Sequence, residues 1–400
     1  MTGSTAAIGA PRSALRERLD ALRTGDLGPI PIILGLVVIA IIFQSANDRF
    51  LSPQNLFNLS TQIASTGVIA LGIVFVLVIG EIDLSAGAVS GVTSAVMVVL
   101  NINHGWNPVL AILVAVVLGC LIGLLHGTIV ARFGVPSFVV TLGALLAWQG
   151  AQLAVLGNQG TINIPYDGLI AALANTTLPA WLGFVIAAAY AIGMTAAEIA
   201  GRRARRARGL VTYPLTGRVV MIAFITVFFL AATVIFLQWR GIPLSFVIFA
   251  VLMVAAEFVL RRTVFGRRLL AIGGNAEAAR RAGVRVQTVK VAAFAIASGL
   301  AAFGGVLAVS RLFAVNQASG GNDVLLNAIA AAVIGGTSLF GGRGTAYSAL
   351  LGMLVIGAIS NGMDLMNQSS SVKYIITGIV LVAAVAIDAL AQRGRKAAGR

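Results

Sequence analysis

The chain has 400 residues, 58% hydrophobic and only 10% charged, with a mean hydropathy of +0.97. Soluble domains carry about 25% charged residues, so this composition excludes a soluble enzyme, a disordered scaffold and a collagen-like chain, and leaves an all-α polytopic membrane protein. The net charge of +15 is spread between apolar runs, so membrane topology explains it and no nucleic acid is expected as a partner.

Residues 1–27 read as a cytoplasmic arm. Leu15, Leu19 and Leu22 share one face with Arg16, Glu17, Arg18 and Arg23 around them, which suits either a short amphipathic helix on the inner leaflet or a plain solvated tail. The arm does not have the shape of a cleaved signal peptide.

From 28 to 392 the chain reads as one transmembrane domain. Apolar runs of about 20 residues are needed to cross the hydrocarbon core. About twelve (10–12) occur, near 29–46, 60–79, 85–100, 108–131, 137–156, 180–200, 218–238, 243–260, 288–309, 323–339, 345–363 and 372–391. The third and tenth are short and rich in Gly and Ser, as broken or re-entrant helices are. The runs are continuous rather than alternating, which excludes a barrel. With both termini cytoplasmic, 24 of the 28 basic residues fall on the inner side, leaving Arg49, Arg240, Arg311 and Lys373 outside. Trp106, Trp181 and Trp239 fall at outer ends, and 393–400 form a basic cytoplasmic tail.

Polar groups inside spans mark function by default. Glu198, Glu257, Asp364 and Asp388 sit at span ends and read as solvated or paired with nearby arginines. The exception is the knuckle GIVFVLVIGEIDLSAGAVSG after the second run. Asp83 is placed to cap the following helix, and Glu81, Asp83 and Ser85 are also placed on a pathway or its inner gate. AAAVIGGTSLFGGRGTAYSAL repeats the pattern: an apolar helix ending in VIG, a polar turn, then a small-residue helix start. The two hint at a parallel internal repeat pairing residues near 70–90 with those near 325–345. Thr141, Asn327, Thr337 and Asn361 suit either a sugar path or interhelical hydrogen bonds. His126 and the single Cys120 read as packing residues, and one cysteine with two histidines leaves no disulfide framework and no metal site.

The stretch 261–290, RRTVFGRRLLAIGGNAEAARRAGVRVQTVK, is too polar to span. Asn275 suits a helix cap, Glu277 its first turn, Arg280 and Arg281 its last, and Gly283 its end. Held by the Gly273–Gly274 pair, this short basic helix suits either docking on another protein or a solvated loop with a helical turn. No G-x-x-x-x-G-K-[ST] phosphate loop and no nucleophile constellation occur, so the chain is expected neither to hydrolyse ATP nor to be an enzyme.

The segment NAEAARRAG at 275–283 matches the E-A-A-x-x-x-G signature of bacterial ATP-binding-cassette importer permeases. EIDLSAG at 81–87, VPSFVVTLGALLAWQG at 135–150, FGRRLLAIGGNAEAARRAGV at 265–284 and AAVIGGTSLFGGRGT at 331–345 resemble the monosaccharide-importing (ribose/xylose) branch of that family. The Ile-x-Leu-Pro part of the broad signature is missing, as is normal for the branch. An extra pair of spans near 178–240 resembles the members that import D-xylose. The resemblance covers roughly 28–392. It implies a multi-pass permease of the bacterial plasma (inner) membrane that carries a monosaccharide inward, D-xylose or a related pentose, and works as a homodimer. It also implies a separate cytoplasmic ATPase that holds ATP and Mg, this chain having no cofactor, and a periplasmic or lipid-anchored sugar-binding protein. Gly266, Arg267, Arg268, Gly273, Gly274, Asn275, Glu277, Ala278, Ala279, Arg280, Arg281 and Gly283 would form the ATPase-coupling element. The alternative is an ion-coupled secondary sugar transporter, which needs carboxylates near the midplane; only Glu81 and Asp83 are candidates.

Overall fold

The computed structural model describes residues 30–179, 181–209 and 216–397. The arm expected over 1–27 lies outside them, as do the side chains of Asp388 and of the basic tail.

Each apolar run becomes a helix because the bilayer leaves the backbone no partner but itself. In chain order these are α1 (Ile30–Ala46), α2 (Pro53–Val78), α3 (Ala86–Val98), α4 (Pro108–Phe133), α5 (Ser137–Leu156), the short α6 (Leu169–Asn175), α7 (Trp181–Ala207), α8 (Thr216–Leu237) and α9 (Leu244–Arg262). There follow the short α10 (Val264–Gly274) and α11 (Ala276–Arg281), then α12 (Val286–Leu312), α13 (Asn322–Ile334), α14 (Tyr347–Leu365) and α15 (Ser370–Ala397). The twelve expected runs each coincide with a helix. Among the described residues, nine of these are long and apolar enough to cross a membrane. The third run is one of them, because a π turn at Val99–Asn103 carries α3 on to 18 residues. The tenth is not: 13 residues in α13 rise only about 20 Å against a hydrocarbon core of about 30 Å. α1 and the apolar part of α15 are also shorter than a full crossing.

The centre of the molecule is α2, 89% buried over its apolar window and packed against α9, α12, α13 and α14. It begins seven residues before the apolar run does. In its polar first turns Asn55 is buried with its hydrogen bonds made internally: Asn55 Nδ2 donates to Phe50 O (2.8 Å), and the Asn55 and Asn361 amides pair reciprocally (2.7 and 3.0 Å). α12 lies closest to α4. Gly119, Gly123 and Gly127 recur every fourth residue on α4, and a Cβ at any of them would press on Ser298, Phe294 or Val291 of α12. Removing the side chains lets the backbones approach, which is how helices associate in lipid.

Two strand pairs mark one end of the bundle: β1 (Thr161–Asn163) with β4 (Ala314–Asn316), and β2 (Thr177–Leu178) with β3 (Ile242–Pro243). The second pair ties the start of α7 to the start of α9. The far ends of both helices, and with them α10 and α11, therefore lie at the opposite end of the bundle. Trp106, Trp181 and Trp239 are exposed, with Arg240 lying 5.8 Å over the Trp239 ring.

Candidate functional site

Two interrupted helix pairs meet at the end of the bundle that carries α10. α2 stops at Val78, turns through Gly80 (φ +78°), and restarts as α3; α13 stops at Ile334, turns through Gly336, Gly341 and Gly342, and restarts as α14. The two turns touch: Gly342 N–H donates to Val78 O (2.9 Å). A Cβ on Gly341 would come within 2.8 Å of Gly80 N and 3.0 Å of Gly273 O, and one on Gly342 within 3.2 Å of Gly274. A Cβ on Gly273 would collide with Val78 O and Gly342 N. The end of the first VIG segment thus lies against the turn that follows the second, and the glycine pair of α10 sits on both. Contacts of backbone on backbone have no side-chain slack, so displacing α10 displaces both turns.

α9 adds a second link. Its Glu257 accepts from Ala346 N (2.8 Å) just before α14 begins and pairs with Arg261 (3.3 Å), whose Nη2 donates to Gly344 O (3.3 Å). At the turn from α9 into α10, Thr263 Oγ1 accepts from Gly266 N (3.1 Å). A Cβ at Gly266 would run into the carbonyls of Val259 and Leu260. Asn275 caps α11 by accepting from Ala278 N (2.9 Å). Gly283, at φ +82°, lets the chain turn into α12 in a conformation glycine adopts at no steric cost. Gly266, Leu269, Ile272 and Ala279 face the bundle, whereas Arg267, Arg268, Glu277, Ala278, Arg280 and Arg281 are exposed. Among the described residues Glu277 pairs with Arg280 (3.5 Å) and Arg281 (3.3 Å) on its own helix, surface pairs worth about 0.3–0.5 kcal/mol each.

The first turn carries a buried chain of hydrogen bonds. Asp83 is 2% exposed. Its Oδ1 accepts from Ser85 N (2.8 Å) and Ser85 Oγ (2.6 Å). Ser85 Oγ meets His126 Nδ1 (3.3 Å), and Trp148 Nε1 donates to His126 Nε2 (2.9 Å). An indole N–H can only donate, so Nε2 must accept and the imidazole proton sits on Nδ1. The chain then runs one way: Trp148 to His126 to Ser85 to Asp83. The carboxylate holds the residue that opens α3. Its Oδ2 is buried and unpartnered among the described residues. Glu81 pairs with Lys290 of α12, which ties the turn to the helix leaving the coupling segment.

The remaining expected residues are dispersed. Thr141 Oγ1 donates to Ser137 O (2.9 Å) and Ile82 O (3.3 Å), and Ser137 Oγ accepts from Ile82 N (3.2 Å), so α5 holds the first turn in place. Thr337 is buried in the second turn with its hydroxyl unpartnered among the described residues. Asn327 is half-buried on α13. Asn361 is far from both turns in sequence and locks α14 to α2 through Asn55. Of the acids at span ends, Glu198 pairs with Arg202 and Asp364 with Lys373. Sequence reasoning read His126 as packing and passed over Trp148 and Lys290. The only available signal was a polar group on an otherwise apolar helix. Among the described residues, no three His, Cys, Asp or Glu side chains are gathered for a metal.

Residues 55–385 match the family model described as branched-chain amino acid transport system / permease component. The xylose transport system permease protein XylH of Escherichia coli K12 is 37% identical over 94% of this chain and 95% of its own length. XylH of Haemophilus influenzae is 33% identical over 92% and 97%. The ribose import permease protein RbsC of Bacillus subtilis is 33% identical over 90% and 92%. No solved structure matches the chain. The chain therefore belongs to this permease family, as a multi-pass transport subunit of the inner membrane and not an enzyme.

Proposed function

We propose that the chain is the membrane-spanning subunit of an ATP-driven importer that carries a pentose inward, D-xylose first among the candidates. Two copies enclose the path, a cytoplasmic ATPase holding ATP and Mg docks on α10–α11, and an extracytoplasmic binding protein delivers the sugar. The observation that carries this reading is the seat of Gly273–Gly274 on both helix interruptions at once. An ATPase whose two modules close pushes the exposed basic face of α10–α11. Because α10 is in backbone contact with both turns, the push reaches α3 and α14 as a rigid-body displacement. The relatives' printed names support the choice of sugar class, xylose before ribose.

The ion-coupled reading has little to build on. Such transporters need a free carboxylate near the midplane, whereas Glu81 is paired with Lys290 and Asp83 is held by Ser85 at the level of the junction. Uptake of labelled xylose into right-side-out membrane vesicles, with binding protein outside, separates the two. Uptake should persist when proton and sodium gradients are collapsed by ionophores and stop when internal ATP is depleted. The reverse pattern contradicts the proposal.

A further inference from the structure

α13 begins inside the membrane. Measured from the inner turn, its 13 residues rise about 20 Å and stop about 10 Å short of the far side of the hydrocarbon core. Contacts on α3 and α12 give a similar depth independently. Gly305 precedes Leu312, the strand-side end of α12, by about 10 Å, and a Cβ there would collide with Ser90 O of α3. Gly320 lies against Gly87 and Ser90 Oγ, at or below that level. The chain from Asn316 to Gly321 therefore dips from the strand pair into hydrocarbon depth before α13 starts. Gln152 of α5, 2% exposed, holds the dip by donating to Asn316 O (2.8 Å) and Ser319 O (3.0 Å). Two glycines of α3 make room for it. A Cβ on Gly87 would come within 2.7 Å of Gly320 O, and one on Gly91 would collide with Ser319 O.

Asn322 and Asp323 stand exposed at this depth, with Leu326 exposed and Asn327 half-buried one turn further in. Asp323 and Asn327 are four residues apart and share one face of α13. Among the described residues, the side chains of Asn322 and Asp323 make no hydrogen bond and no ion pair. Lipid cannot cover this surface. Irregular backbone at membrane depth occurs only inside protein or beside a water-filled cavity, and an ionised side chain there faces one or the other. A dry protein contact would seal in a carboxylate with no cation beside it. Water is the neighbour that remains.

We propose that Asn322, Asp323 and Asn327 line a water-filled pocket open toward the strand-bearing end, and that the pocket binds the hydroxyl groups of the sugar on its way through. A carboxylate accepts from two hydroxyls at once, and an amide both donates and accepts. That set suits a neutral polyhydroxylated solute, and Leu326 offers an apolar surface to the C–H face of its ring. The assignment rests on the sugar-importer reading above.

The test uses the complete transporter in right-side-out vesicles, in a Cys120→Ala background, with a membrane-impermeant charged methanethiosulfonate reagent outside. Asn322→Cys is compared with Val117→Cys, an exposed apolar position of α4 about 13 Å from the same end. Asn322→Cys should label at least about tenfold faster, as a wet site does beside one in lipid. Binding protein with saturating xylose should slow that labelling severalfold. Asp323→Asn should raise the xylose concentration for half-maximal uptake about tenfold, the effect of losing a charge-assisted hydrogen bond, with the ATPase still copurifying. Labelling of Asn322→Cys as slow as that of Val117→Cys, or a disulfide between two copies in place of labelling, overturns the pocket. Fast labelling that xylose does not slow, or an unchanged half-maximal concentration in Asp323→Asn, overturns the sugar as its occupant. Labelling is read without any energy source, so a failure of ATP-driven uptake is seen separately from a failure of the pocket.

Discussion

Asp83 shows what a single side chain does here. Asp83→Asn keeps an oxygen to accept from Ser85 N and Oγ, so α3 still opens where it does, but it removes the charge and puts an amide where Oδ2 has no partner. Transport should fall severalfold or more, with thermal unfolding in detergent close to wild type. Normal uptake in this variant would leave the charge without a role. His126→Leu acts differently: it strips the Ser85 hydroxyl of one partner and the Trp148 N–H of its acceptor. Ser85 Oγ keeps Asp83 as its acceptor, so the loss falls on the part-buried Trp148 N–H, an orphaned donor that costs about 1 kcal/mol or more; the unfolding midpoint should drop measurably, and an unchanged midpoint would refute the hydrogen-bonded chain. The special status of Asp83 was legible in the sequence from EIDLSAG. Its partners were not. His126 lies 41 positions beyond Ser85, and Lys290 lies 209 beyond Glu81. Pairings at that separation follow from how α3, α4, α5 and α12 pack and leave no local pattern.

Hydropathy located the helices because a bilayer enforces one solution for each apolar run. It misjudged ends where polar groups are satisfied inside the protein. The first turns of α2 contain Asn55, Asn58 and Ser60 and score as loop, yet Asn55 is buried against Asn361. Shortness and Gly/Ser content marked the third and tenth runs alike as broken or re-entrant: α13 is indeed too short to cross, whereas α3 is not, because a π turn that leaves no sequence signal carries it on. The glycine junction yields the prediction that belongs to this scale. Gly273→Val places a branched side chain against Val78 O and Gly342 N, an overpacking that costs about 1–3 kcal/mol and pries α10 off both turns. The exposed face of α10–α11 is left as it was. The ATPase should therefore still bind and hydrolyse ATP, while sugar uptake is lost or reduced at least severalfold. Wild-type coupling in Gly273→Val would show that the junction transmits nothing.

For the whole molecule, one asymmetry organises the rest. One end carries the strand pairs and the exposed tryptophans; the other carries the basic turns, the two helix interruptions and α10–α11. Arg261, Arg262, Arg267, Arg268, Arg280 and Arg281 of the described residues gather at that second end, where positive charge kept in the cytoplasm during insertion would put them. Work delivered at that end has to cross the glycine junction to reach the spans. The account stands or falls on whether an ATPase grips α10–α11. The measurement is copurification of the complex from its native membrane in mild detergent, wild type beside Glu277→Ala. Glu277 is exposed and its pairs are weak, so its loss should leave the chain folded and inserted. The account predicts a phosphate-loop ATPase bound to the wild type and lost from Glu277→Ala. A wild-type chain that comes out intact with no ATPase, or a Glu277→Ala chain that keeps it and transports normally, would contradict the account.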